Sequence, residues 1–417
     1  MVAFRFTEHA SWTLVGLLLG SSPACSRGRA PSSNAQNAAT AHIRPELRVA
    51  EQLVHGLFRV APGEQVVLRG GPHYLPMMEA IAIEVLGAGG KAHILITTDA
   101  ERRYRAERLP LQYLGPPPSS IDSALILQSD LEIILPYDSD FRSIWPDLES
   151  DRFKRHQRSN PILNQLNDRS SRRYLYLAMP SQPEVVAAIR GVGLDSTTYT
   201  KLWWRAATAS IDSMAKQGAA LRQRLEGAKK VRVTTPDGTD FVFTRSDRPV
   251  HVDVAAMSRV ASRGQSWARR QASFPAGVVT VIPVEGTANG RVLAAADQCD
   301  RPVSQETFEL RGGRPEVIRA ATDEACVQGG LGKAGAVGFL SIGLNPAMKP
   351  VLGTNGNFLP EQALGLISLG FGDNVRFGGM NAAPRWIVPL THATVLTDGV
   401  PVVRGGRLVA SAGGSGP

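Results

Sequence analysis

The fold class of this 417-residue chain is indicated most clearly by residues 363–388, ALGLISLGFGDNVRFGGMNAAPRWIV. Two related stretches precede it, FPAGVVTVIPVEGTANG at residues 274–290 and AGAVGFLSIGLNPA at residues 334–347. Each joins short apolar runs, typical of buried strands, to glycines and prolines typical of tight turns. No histidine occurs between residues 253 and 391. The three stretches therefore predict glycine-bounded strands in a region of the chain that has no imidazole groups.

Outside these stretches, hydrophobic patterning predicts two domains. Apolar runs alternate with helical spacing over residues 42–228, which indicates an α/β domain closed by a long helical region at residues 200–226. A Pro-Asp-Gly turn at residues 236–238 lies between two apolar runs and predicts a hairpin. A second hairpin is predicted at residues 395–409, so residues 229–417 form a β-rich α+β domain.

The three stretches resemble the signature blocks of the aminopeptidase T-type metallopeptidases. The resemblance covers about residues 45–409 and is specific from residue 200 onward, where KKVRVTTPDGTDFVF at residues 229–243 matches the entry to the second domain. The third block keeps the glycines, asparagine and tryptophan of the family pattern at Gly378, Gly379, Asn381 and Trp386. This resemblance implies the two-domain fold of the family, a homodimer and an active site with two divalent metal ions.

The side chains that the resemblance assigns to metal binding are absent. It places the family's two glutamates at Val278 and Phe339, its histidines at Ile367 and Arg385, its aspartate at Ile387 and its tyrosine at Asn374. Valine, phenylalanine and isoleucine carry no lone pairs, and Arg385 adds a cation where a dication would lie. We therefore expect no metal cofactor and no catalytic residue from the family's set. The expected ligand cleft consists of Val278, Glu285, Phe339, Ile367, Asn374, Asn381, Arg385 and Ile387.

Three functions are open on this basis. The leading hypothesis is a non-catalytic homologue whose cleft binds a peptide or a small carboxylate, with the Arg385 guanidinium as one contact. Alternatively, Arg385 forms a structural ion pair with Asp373 or Glu285. The second hypothesis is a divergent enzyme on the same scaffold, either an aminopeptidase-like hydrolase or a different chemistry, since dioxygenases of dihydroxypyridine share this fold. The third is a structural partner in an envelope assembly.

The N-terminus predicts export. Arg5 precedes the apolar run WTLVGLLLG at residues 12–20, which has the length of a signal-peptide core and is too short to span a bilayer. Residues 1–24 are thus a predicted signal peptide, and residues 25–41 a small-residue tether. Cleavage before Cys25 would leave a lipidated cysteine, whereas ordinary cleavage would leave a protein without a lipid. We expect a periplasmic or cell-envelope location, with the membrane contacted only through such an anchor.

Charge and cysteine content add two expectations. The 46 basic and 37 acidic residues give a net charge of +9, but the basic run at residues 152–173 is interrupted by acidic residues. We interpret that run as a solvated surface and expect no nucleic-acid partner. Apart from Cys25, the chain has only Cys299 and Cys326, and an oxidising compartment favours a disulfide between them.

Two loops in the first domain follow predicted strands, where α/β sheets often bind ligands. One contains His73, after Gly70-Gly71, and the other carries two carboxylates, Asp138 and Asp140. We interpret both as solvated surface loops.

Overall fold

The computed structural model describes residues 45–147, 150–180, 185, 195–296, 303–348 and 360–409. The predicted signal peptide, the tether and Cys25 lie outside these residues. Within the part of the chain that is described, no helix is both long and apolar enough to cross a membrane.

A parallel sheet forms the first layer of the fold. Its strands are β1 (Gln65–Gly70), β2 (Lys91–Ile96), β3 (Leu131–Ile134), β4 (Arg173–Leu177) and β8 (Gln271–Phe274). They lie in the order β2-β1-β3-β4-β8. The last strand comes from beyond residue 228, so the chain returns to this sheet after it has begun the antiparallel part of the fold.

Helices flank the parallel sheet and bury its apolar side chains. The first is α1 (Pro45–Glu51), which continues as a π-helical segment over Gln52–Leu57. The others are α2 (Leu75–Gly87), α3 (Asp99–Glu107), α4 (Ser120–Gln128), α5 (Phe141–Ile144), α6 (Asp151–His156) and α7 (Asn160–Arg169). Capping side chains fix the start of two of them: the Thr98 side chain accepts from the Glu101 amide at α3, and Ser119 forms a capping box with Asp122 at α4.

The helical region predicted at residues 200–226 is two helices, α8 (Ser196–Ala207) and α9 (Ile211–Glu226). The break has a local cause, because the Ser210 hydroxyl accepts a hydrogen bond from the Ser213 amide and caps α9. Trp203 of α8 is buried in a first hydrophobic core, which also contains side chains of the parallel sheet and its helices. Its indole N–H donates to the Ala178 carbonyl at 2.6 Å. The tryptophan-containing helix thus closes the parallel layer.

Two antiparallel sheets make up the rest of the fold. The larger has the order β12-β11-β10-β6-β5-β16-β17-β18. Its strands are β5 (Lys230–Thr234), β6 (Asp240–Thr244), β10 (Asn289–Ala296), β11 (Val303–Arg311), β12 (Arg314–Arg319), β16 (Thr394–Thr397), β17 (Val400–Arg404) and β18 (Arg407–Leu408). The predicted hairpin is present, since β5 pairs antiparallel with β6 across a turn in which Gly238 has a φ of +109°.

The smaller antiparallel sheet contains strands from the three sequence stretches at residues 274–290, 334–347 and 363–388. Its order is β15-β14-β13-β9-β7. The strands are β7 (His251–Asp253), β9 (Val278–Val281), β13 (Val337–Gly343), β14 (Ile367–Phe371) and β15 (Trp386–Leu390). Two further helices are α10 (Arg259–Ser262) and α11 (Glu324–Ala334). Together with the parallel sheet, this is the mixed α/β architecture that the sequence predicted.

A second hydrophobic core joins side chains from both antiparallel sheets with α9 and α11. Cys326, in α11, packs against this core as a partly buried side chain. Its expected partner, Cys299, lies outside the described residues, so the disulfide stays a prediction.

Candidate functional site

The smaller antiparallel sheet has one apolar face and one partly polar face. Val279, Leu340 and Ile342 belong to the second core. On the other face, the register places His251 beside Thr280, Thr280 beside Ser341, and Ser341 beside Ser368. Because directly paired residues of neighbouring strands point to the same side, these four residues form a polar row across the sheet. The row marks the face on which a site can lie.

The polar face holds three of the residues that the family resemblance assigns to metal binding. Val278, Phe339 and Arg385 line one cavity of about 40 Å³ together with Thr280 and Ser341. We call this space the inner cavity. Its volume allows only a few water molecules. The hydroxyls of Thr280 and Ser341 lie 3.0 Å apart and satisfy each other.

Ile387 belongs to the same region, whereas Ile367 does not. Ile387 packs on a small cluster that contains Phe339 and Phe377. Ile367 is fully buried in the second core, and it pairs with Ile342 on the apolar face. The sequence-based expectation that Ile367 lines the cleft therefore needs correction: strand side chains alternate between faces, and its neighbour Ser368 is the one on the polar face.

Asn374 and Asn381 shape the loop between β14 and β15. The buried Asn374 amide donates to the Gly338 carbonyl at 3.1 Å, and its oxygen accepts from the Asn381 amide at 3.0 Å. A Cβ at Gly379 would lie 2.0 Å from the Asn374 side-chain oxygen, so only glycine fits there. These residues hold the loop that presents Arg376, Phe377 and Arg385; they do not line the inner cavity themselves.

Glu285 lies apart from this loop. Its carboxylate pairs with Arg248 at 2.8 Å and its side chain is 55% exposed. It does not line the inner cavity, which places it outside the expected cleft. Glu285 is also not the partner of Arg385.

Arg385 is held by three kinds of contact. Its guanidinium pairs with the Asp373 carboxylate at 3.0 Å, and its Nε donates to the Asp373 carbonyl at 3.0 Å. The guanidinium carbon also lies 5.4 Å from the ring centroids of both Phe339 and Phe377. Burial lowers the pKa of Arg385, while the nearby Asp373 opposes that shift. This geometry supports the structural role of Arg385, in which its guanidinium forms an ion pair with Asp373.

A larger space adjoins the inner cavity. It has a volume of about 520 Å³ and shares Asp253, Arg376 and Phe377 with the inner cavity. We call it the basic chamber because three arginines line it, Arg222, Arg269 and Arg376, against a single carboxylate, Asp253. Its apolar wall comes from residues that include Val250, Val252, Val254, Ala255, Ala256 and Met257.

His251 lies in the wall of the basic chamber, with its ring centroid 5.4 Å from that of Phe377. Burial is the main cause that lowers its pKa to about 4; Asp253 opposes the shift, and Arg376, Arg269 and Arg222 contribute to it. The imidazole is therefore neutral at pH 7. Among the described residues that line the chamber, the side chains that are positively charged at that pH are the three arginines.

The sequence offered no signal for these three arginines as a group. Arg222 lies in α9, Arg269 in a 3₁₀ helix over Trp267–Arg270, and Arg376 in a 3₁₀ helix over Val375–Phe377. They are distant in the chain and follow no shared motif.

The donor set near the inner cavity does not fit a two-metal centre. Such a centre needs several carboxylates and imidazoles to offset its charge. The Asp253 carboxylate here pairs with Arg376, and Arg385 places a second cation at the cavity. Across the described residues, no group of three or more His, Cys, Asp or Glu side chains is arranged to hold a metal ion.

The two loops of the first domain do meet in the structure. Burial lowers the pKa of His73, and this effect outweighs Asp99 and Asp138, which raise it. Asp138 is itself buried and accepts two hydrogen bonds from Arg102, at 2.7 and 2.9 Å. Asp138 is thus a buried partner in an ion pair, and the interpretation of its loop as solvated surface was wrong for this residue.

Solved structures of other proteins share this fold. No protein-family model matches this chain, and no curated protein sequence matches it significantly. Among solved structures, the matches define an aminopeptidase-T-like fold. AmpT from Thermus thermophilus superimposes with a TM-score of 0.66 at 15% identity, over 89% of this chain and 100% of that one. The 2,5-dihydroxypyridine dioxygenase from Pseudomonas putida KT2440 gives a TM-score of 0.57 at 16% identity, over 92% of this chain and 99% of that one. At these identities the likeness shows the fold alone.

Proposed function

We propose that this protein is an exported homologue of the aminopeptidase-T-like fold that binds a peptide or a small organic acid without two-metal catalysis. One observation carries the proposal: the guanidinium of Arg385 lies against two phenylalanine rings, Phe339 and Phe377, at the inner cavity. The family resemblance assigns Arg385 and Phe339 to metal-ligand positions. A cation and an aromatic ring now take up that space.

Electrostatics supports the loss of the metal centre. Two dications near Arg385 and Arg376 would meet like charge, and the nearby apolar side chains cannot offset it. A bridging water of lowered pKa requires the metals, so the hydrolytic chemistry of the family would go with them.

The basic chamber supports retention of a binding site. Its volume of about 520 Å³ falls in the range of small-molecule pockets, and it combines an apolar wall with a few charged groups. Arginine binds carboxylates through a planar fork of N–H donors. We therefore place the ligand in the basic chamber, with the inner cavity closed behind it by Arg385.

The cellular setting belongs to the same proposal. The signal-like N-terminus supports export to the periplasm or cell envelope, with or without a lipid at Cys25. The family resemblance supports a homodimer. Fractionation of cells that express the full chain, together with light scattering of the purified mature protein, tests both points.

Elemental analysis and a peptidase assay test the proposed function. We expect no stoichiometric zinc, cobalt, manganese or iron in the purified protein, and no cleavage of aminoacyl anilides when these metals are added. In a thermal-shift screen of peptides and organic acids, ligands should raise the melting temperature by mass action. Stoichiometric metal together with anilide cleavage would overturn the proposal in favour of an active hydrolase.

A further inference from the structure

We infer that the basic chamber selects ligands by a carboxylate, and that Arg269 is the residue that binds it. This inference rests on the proposed binding function and adds its ligand class and its main contact. The three chamber arginines differ in their ion pairs.

Two of the three arginines already have carboxylate partners. Arg376 pairs with Asp253, and Arg222 pairs with Glu226 at 2.9 Å. Among the described residues, the guanidinium of Arg269 has no ion pair and no hydrogen bond. Because arginine is charged at all physiological pH values, the chamber holds one cation whose donors are available to a ligand.

Arg269 is positioned by the segment that carries it. Trp267 is buried, with its ring under the guanidinium groups of Arg172 and Arg270 at 5.6 and 5.5 Å. Arg270 is also buried, and its three nitrogens donate to the carbonyls of Gln265, Arg172 and Asn167. The residues on either side of position 269 are thus anchored or packed, whereas Arg269 itself is exposed to the chamber.

The loop after β14 leaves room for this guanidinium. Gly378 has a φ of +90°, and a Cβ built there would lie 3.1 Å from a terminal nitrogen of Arg269. A side chain at position 378 would therefore be strained and would press on Arg269. Gly378 is one of the glycines that the third sequence block keeps, and its backbone leaves the guanidinium space.

The wall beside the arginines indicates an organic acid rather than a simple anion. Val252, Ala255 and Met257 line the same space, and burying hydrocarbon against them is favourable. Inorganic phosphate has no such hydrocarbon part. A dicarboxylate or the acidic end of a peptide has both a negative charge and a hydrocarbon part. The two sources share the carboxylate that Arg269 would bind.

Isothermal titration calorimetry tests this inference with four probes: glutarate, its neutral diamide, an acidic dipeptide and inorganic phosphate. At least one of glutarate and the dipeptide should bind, and which one binds more tightly identifies the source of the carboxylate. The diamide and phosphate should bind at least about tenfold more weakly. Arg269→Ala should weaken binding of the carboxylate probe by about ten- to a hundredfold, because a charged hydrogen-bond donor is lost.

Arg263→Ala is the matched control. Arg263 lies on the same segment and is exposed, but it lines a different surface depression and not the basic chamber. Its replacement should leave the dissociation constant within about twofold of wild type. Equal affinity in Arg269→Ala and wild type, or equal binding of glutarate and its diamide, would overturn the inference. Binding of the neutral diamide alone would also overturn it while leaving the proposed binding function intact. Metal-dependent anilide cleavage would instead overturn the function itself.

Discussion

Replacing Arg385 with alanine should lower the free energy of unfolding by about 2 kcal/mol. Its hydrogen bond to the Asp373 carbonyl contributes about 1 kcal/mol, as for a typical protein hydrogen bond. Its ion pair with the Asp373 carboxylate contributes less than about 1 kcal/mol, because the two side chains are 32% and 36% exposed and water screens them. The cation–π contact with Phe339 and Phe377 adds about 0.5–1 kcal/mol.

Urea unfolding of wild type, Arg385→Ala, Asp373→Asn and the double variant measures this loss and the coupling between the two side chains. Arg232→Ala is a matched control. Arg232 also pairs with a carboxylate, that of Asp240, but both side chains are about half exposed and no ring packs on the guanidinium in the described residues. Its replacement should have a much smaller effect.

Arg385→Ala should also keep the affinity for glutarate within about twofold of wild type, because Arg385 is engaged with Asp373 and lies outside the basic chamber. A stability loss no greater than that of Arg232→Ala would refute the structural role given to Arg385. Unchanged stability together with lost glutarate binding would show that Arg385 is the ligand contact instead.

Two further predictions concern His251 and the cysteines. His251 has a folded pKa of about 4 against an ordinary 6.5, so the unfolded chain binds more protons between these values, and stability should fall as pH drops from about 6.5 to about 4. His251→Gln should flatten the pH dependence of urea unfolding in that window by about 1 kcal/mol per pH unit, and identical slopes would contradict the assignment. Thiol titration of denatured, non-reduced exported protein should find neither Cys299 nor Cys326 free, and reaction of both would exclude the disulfide.

Much of the fold was predictable because its signals are local. The Pro-Asp-Gly turn at residues 236–238 predicted the β5–β6 hairpin, since a turn of that composition joins strands that are adjacent in sequence. The parallel strands β1, β2 and β3 followed from apolar runs that alternate with helices. The break at Ser210 was missed because the apolar spacing continues through it and only the cap divides the helices.

The candidate site was predictable only in part from the sequence. Sequence blocks identified Phe339 and Arg385 as neighbours in a cleft, and the structure places them in contact. The blocks could not show that Ile367 faces the core, because a strand offset of one residue reverses every side chain.

The amino-acid sequence was sufficient to indicate the alternation of strands and helices before residue 228, the β5–β6 hairpin, the glycine-bounded blocks and the absence of imidazoles between residues 253 and 391. The concentration of positive charge in the basic chamber depends instead on the tertiary structure. Arg222, Arg269 and Arg376 reach one chamber because α9, the segment before β8 and the loop after β14 pack around β7. No local pattern encodes that meeting, since it results from long-range packing of two layers whose own sequence signals are independent.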